Sequence, residues 1–101
     1  MKGYRYRITA EPLADAKGEP IPQAPLVFEA VNHDELLGLA QRVRERGEFD
    51  ENTAASLLIG LKLFSEVMLQ NRQKPLFAPL LPHFREFMQR FKNPAAQSGA
   101  Q

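Results

Sequence analysis

The stretch Asp50–Asn71, DENTAASLLIGLKLFSEVMLQN, decides the fold, because it reads as one long helix capped at its start and apolar on nearly every side. At about 100° per residue, Ala54, Leu57, Leu61, Phe64 and Met68 fall on one broad face, while Ala55, Ile59, Leu63 and Val67 line another. Lys62, Glu66 and Gln70 form the thin polar strip that remains. A helix this apolar needs cover on most sides, so it sits at the centre of a small fold or in a subunit interface. Asp50 is placed as its N-cap, with Glu51 near the positive helix end and Phe49 positioned as a hydrophobic staple.

Upstream, Tyr4, Tyr6 and Ile8 alternate with Arg5, Arg7 and Thr9, the period of a strand with one buried face. Leu26, Phe28 and Ala30 alternate in the same way with Val27, Glu29 and Val31. Between the two strands, Pro12, Asp15-Ala16-Lys17-Gly18, Pro20, Pro22 and Pro25 read as loop, so an antiparallel hairpin is expected. Two strands rarely stand unaided in water, so the Tyr4/Tyr6/Ile8 and Leu26/Phe28/Ala30 faces are expected to pack on helices. Asn32-His33-Asp34-Glu35 resembles a helix start, with Asn32 as cap and Glu35 completing a capping box. Leu36, Leu37, Leu39, Ala40 and Val43 then supply a buried face, and Gly47 suits the left-handed residue past the helix end.

Downstream, Pro75, Pro79 and Pro82 make a run of turns or short helical pieces, and a last helix starts near Pro82 with Phe84, Phe87, Met88 and Phe91 as its stripe. The expected architecture is an α+β fold: an N-terminal antiparallel β-hairpin followed by three helices, β-β-α-α-α, with the long helix central. A single domain is expected over 1–92 and a C-terminal tail over 93–101.

A chain of 101 residues is long enough for one modest core, and 44% apolar with 25% charged residues matches an ordinary globular protein. Cysteine is absent, which excludes disulfides, thiolate metal sites and a cysteine nucleophile and suits a reducing cytoplasm. The N-terminus lacks a signal-peptide core, and no segment is expected to approach the roughly 18 apolar residues of a membrane span. A cytoplasmic protein with no membrane association is therefore expected. Residues 1–60 carry seven Lys/Arg against ten Asp/Glu and residues 61–101 six against two, an unevenness that a solvated surface explains better than a polyanion-binding face.

No motif demands a particular chemistry. His33 and His83 lack paired-ligand spacing, and the carboxylate pairs Asp34/Glu35, Glu45/Glu48 and Asp50/Glu51 sit at helix ends where capping accounts for them. No catalytic residue, metal or cofactor is expected, and an enzyme is the weaker expectation. Arg5, Arg7, Arg42 and Arg46 are the candidate contacts for nucleic acid or another polyanion, although Glu11, Glu29, Glu45 and Glu48 lie among them. Arg72, Lys74, Phe77 and Arg85 are a candidate interaction surface at the proline-fixed corner 72–80, set against the reading that Leu76, Phe77 and Leu80 plug the core. A ligand pocket around His83, Arg85 and Arg72 is a third alternative.

The run Gly60-Leu61-Lys62-Leu63-Phe64-Ser65-Glu66-Val67-Met68-Leu69, with Asn71-Arg72, Pro75-Leu76-Phe77-Ala78-Pro79-Leu80 and the opening Lys2-Gly3-Tyr4-Arg5-Tyr6-Arg7-Ile8, resembles a family of short bacterial proteins of unknown function. The resemblance covers roughly residues 2–92 and implies a bacterial, single-domain, cytoplasmic protein. It brings no activity and no site residue. The expected role is contact with an unidentified protein partner or with a second copy in a homodimer, with nucleic-acid binding as the alternative. If Phe64 is buried in the core, Phe64→Ala should cost roughly 3–5 kcal/mol by denaturant titration, whereas Arg5→Ala should leave stability almost unchanged.

Overall fold

The computed structural model describes residues 2–93. Its elements follow the expected order: β1 (Tyr4–Ala10), β2 (Leu26–Asn32), α1 (Leu36–Glu45), α2 (Glu51–Gln70) and α3 (Leu81–Lys92). The chain is an α+β fold with an antiparallel two-stranded hairpin and three helices. It divides into two compact units, residues 1–64 and 65–101, with the boundary inside α2. The tail expected over 93–101 lies, apart from Asn93, outside the described residues.

In the first unit, β1 and β2 pair in the register Tyr4↔Asn32, Tyr6↔Ala30, Ile8↔Phe28 and Ala10↔Leu26, which sets both apolar rows on one face. Gly3 is needed where the ribbon opens, because a Cβ there would lie 2.8 Å from the Asn32 carbonyl oxygen. In the connecting loop, one Asp15 carboxylate oxygen accepts the N–H groups of Lys17 and Glu19 at 2.8 and 2.9 Å. Burial along β2 rises from exposed Leu26 to fully buried Asn32. Tyr6, Ile8 and Ala30 are half-buried, whereas Tyr4, Leu26 and Phe28 stay exposed. The expectation that the whole apolar face packs on helices is thus corrected: Tyr6, Ile8 and Ala30 are partly covered, and Tyr4, Leu26 and Phe28 are not.

The start of α1 also departs from the sequence reading. Asn32 still belongs to the strand, and the N-cap is Glu35. Its carboxylate accepts the N–H groups of Leu37 and Gly38 at 2.7 and 2.9 Å, while the Tyr6 hydroxyl accepts the Leu36 N–H at 2.7 Å. Three first-turn donors that the helix itself leaves unpaired are met in this way. Leu36, Ala40 and Val43 form the buried stripe, and Leu37, expected inside, is exposed. Gly47 takes φ 72° just beyond α1, the left-handed conformation expected there.

Asp50 caps α2 as expected, accepting the Thr53 N–H at 2.7 Å. Only Ala54, Leu58 and Met68 of α2 are buried; Phe64, placed on the core face by periodicity, is 40% exposed. The burial assumed for Phe64→Ala is corrected accordingly, and its cost falls to about 1–2 kcal/mol. α2 is also long and apolar enough to cross a membrane, which corrects the expectation that no segment approaches a span. Polar residues such as Asn52, Thr53 and Ser56 break the contiguous run without removing its average apolarity, and the core helix of a soluble protein meets the same test.

In the second unit, the chain after α2 forms helical turns, with the Lys74 carbonyl accepting the N–H groups of Phe77 and Ala78 at 3.0 Å. Leu76 is 78% exposed and Leu80 is exposed, so the core-plug reading holds for neither. Short turns fixed by Pro75 and Pro79 keep them outside, and Phe77 is half-buried. α3 carries Pro82 in its first turn, with Phe84, Met88 and Phe91 half-buried and Phe87 stacked on Phe91 at a ring separation of 6.4 Å.

Two outcomes follow for folding stability. Asn32→Ala removes two bonds and leaves the Asp34 N–H without its side-chain acceptor, so it should cost roughly 2–3 kcal/mol in urea titration. The Asp50 carboxylate is held below its ordinary value of 3.8, chiefly by the backbone N–H of Thr53. A carboxylate depressed on folding contributes stability above its unfolded value and loses that contribution as pH falls through its folded value. The stability gap between the wild type and Asp50→Asn should therefore be complete near neutrality and shrink in acid below the ordinary carboxylate range.

Candidate functional site

Three groups of side chains could carry a function. The first is a polar cluster in the first unit. The fully buried Asn32 side chain donates from Nδ2 to the Lys62 carbonyl at 3.0 Å and accepts the Asp34 N–H on Oδ1 at 3.0 Å. Lys62 Nζ, on a side chain only 12% exposed, lies 2.6 Å from Asp34 Oδ2, and His33 Nε2 lies 3.4 Å from the same oxygen. The two Asn32 bonds link the end of β2 to the middle of α2 and to the turn before α1, and the Lys62–Asp34 pair links that turn to α2. This arrangement is that of a joint: a mostly buried ammonium is matched by a carboxylate, and the buried amide uses both ends. The sequence reading put Lys62 on the polar strip and missed the cluster. A usable signal was present, since Lys62 is the only charged residue from Asn52 to Ser65 and so needs a partner wherever the helix is covered.

The second group contains the candidate polyanion contacts. Arg5 donates to Glu29 at 2.8 Å, both side chains being solvated, and that bond holds the guanidinium above its ordinary range. Arg7 stands directly opposite Glu29 in the strand register. The outer ribbon face is therefore a mixed-charge surface. Arg42 is exposed on α1 and Arg46 follows the helix as its C-cap, while the intervening Arg44 donates from Nε to the Glu51 carbonyl at 3.1 Å. Their position complements the negative end of α1. The candidates are thus divided between a strand face and a helix terminus rather than drawn into one basic stripe.

The third group is the candidate interaction surface in the second unit. Arg72 and Lys74 line an open cavity of about 430 Å³ together with Leu69, Gln70, Asn71 and Gln73. Phe77, Arg85 and His83 do not line it, so the structure brings together two members of the proposed surface and leaves out the others. The cavity lies at the C-terminal end of α2, where cations are favourably placed toward the negative end of the helix. It contains no carboxylate, histidine or hydroxyl, and so offers polar contacts rather than acid–base chemistry. Among the described residues, no three of His, Cys, Asp and Glu converge as metal ligands would.

Beside these groups, an apolar surface that periodicity alone did not reveal stands open on β2. Leu26 is 65% exposed, and Val27 and Phe28 beside it are exposed as well. Among the described residues the sheet has two strands, so β2 has a strand neighbour on one side only. Exposed apolar side chains along a strand edge that has no strand neighbour can meet another strand or an apolar partner.

The comparisons with known proteins agree with this fold and add no activity. A structural search finds a crystal structure, at 2.20 Å resolution, of a protein of unknown function from the bacterium Pectobacterium atrosepticum SCRI1043. It is 36% identical, superposes with a TM-score of 0.79, and is matched over 91% of this chain and 99% of its own. No curated protein matches. The profile of a domain of unknown function with a solved structure matches residues 4–93, nearly the whole hairpin and helical region. The resemblance to short bacterial proteins of unknown function is thereby established, and the chain belongs to the DUF3861 family.

Proposed function

We propose that this protein is a non-catalytic cytoplasmic protein that acts by protein–protein contact. The observation that carries the reading is the exposure of Leu26 and Phe28 on one face and Val27 on the other, at the start of a strand with one edge unpaired among the described residues. Exposing such side chains to water is unfavourable by roughly 25 cal/mol per Å² of apolar surface, and a partner that covers them recovers that energy. The absence of cysteine suits a reducing compartment. The charge pattern argues against the alternative of nucleic-acid binding, because Arg5 is already bonded to Glu29 and Arg7 faces the same carboxylate.

The reading is tested by pull-down of the tagged full chain from a bacterial lysate, with and without nuclease, followed by mass spectrometry. A specific protein retained after nuclease treatment is the expected result, an untagged second copy of this chain included. Retention of ribosomal and nucleoid proteins that disappear with nuclease would move the assignment to polyanion binding.

A further inference from the structure

The two edges of the hairpin are chemically different. β1 carries Arg5 and Arg7, and pairing it antiparallel with a second β1 about Arg5, Tyr6 or Arg7 sets an arginine opposite an arginine in every case. Like charges opposed across strands are destabilising, so this edge resists self-association. β2 has a single charged residue, Glu29, which is already bonded to Arg5 of its own chain at 2.8 Å. Its opening residues Leu26, Val27 and Phe28 are exposed, whereas Ala30 and Val31 are half-buried and Asn32 is fully buried. The open part of this edge is therefore its first half, and it is apolar.

We propose that a second copy of this chain pairs antiparallel along the edge of β2, about a two-fold axis at Phe28, giving one sheet in the order β1-β2-β2-β1. This rests on the reading of the protein as an interaction module and names its partner. The register follows from charge and access. An axis at Glu29 would set the two Glu29 carboxylates against one another and would require Leu26 to face the fully buried Asn32. An axis at Val27 leaves a ladder confined to residues 26–28. With the axis at Phe28, residues 26–30 all pair: Phe28 meets Phe28 and Leu26 meets Ala30 on one face, while Val27 meets Glu29 on the other. No like charges are opposed, the aromatic pair lies at the centre, and the contact is isologous and closed, so it ends at a dimer rather than a fibre. Pro25, immediately before β2, lacks an N–H and limits the ladder at its end.

The test is the solution mass of the full chain by light scattering coupled to size exclusion. The wild type is expected at twice its 11.4 kDa. Phe28→Lys and Phe28→Glu each set like charges at the axis and should halve the mass, with unchanged circular dichroism because the site is exposed. An equimolar mixture of the two variants should restore the dimer, since Lys then faces Glu. A wild type that is monomeric at every concentration loaded would overturn the second copy as partner, while specific capture of a different protein in the pull-down would leave the interaction reading standing. A Phe28→Lys protein that stays dimeric would move the interface elsewhere. A mixture that fails to recover the dimer would overturn the register at Phe28.

Discussion

The first unit depends on the side chain of Asn32. It ends β2, and a buried amide must find partners for both its donor and its acceptor or stay unfavourable by a few kcal/mol. The Lys62 carbonyl and the Asp34 N–H provide them, and each comes from a different place in the chain. The first bond holds the strand end to the middle of α2; the second turns the chain toward α1. Lys62 Nζ then reaches Asp34, so a charge in the apolar helix is met by the residue whose backbone Asn32 has positioned. Tyr6 extends the same logic to α1, since its hydroxyl takes the Leu36 N–H that the helix cannot use.

That joint also explains the distribution of exposed apolar surface. Cover is concentrated at Asn32 itself and along the Leu36, Ala40 and Val43 stripe of α1. Away from it, Leu26, Val27 and Phe28 remain in contact with water. The second unit has its own exposed set in Val67, Leu69, Leu76 and Phe87. An apolar patch that a fold does not cover is energetically suited to a partner.

The helical caps show how far local chemistry could be followed along the chain. Asp50 and Gly47 act as their residue types suggest, because a carboxylate ahead of a helix and a glycine after one need only their immediate neighbours. Asn32 was equally suited to a cap, yet β1 extends to Tyr4 opposite it and holds it in the strand, leaving the cap to Glu35. Among the candidate site residues, Arg72 and Lys74 do share a cavity, being two positions apart beyond one helix end. Phe77 and Arg85 do not join them, since their place depends on how the turns after Pro75 are folded.

Secondary structure, element order and the antiparallel pairing were legible in the residues, because alternation, helical periodicity and proline act over a few neighbours. Burial was not. Phe64 and Leu37 are apolar at core-like spacing and remain exposed, while Lys62 and Asn32 are polar and lie inside. Periodicity says which side chains share a face, but whether that face is covered depends on contacts between residues about thirty positions apart, such as Asn32 with Lys62 and Tyr6 with Leu36. Those long-range bonds exist only once the chain has folded, and they decide which apolar surface is left exposed.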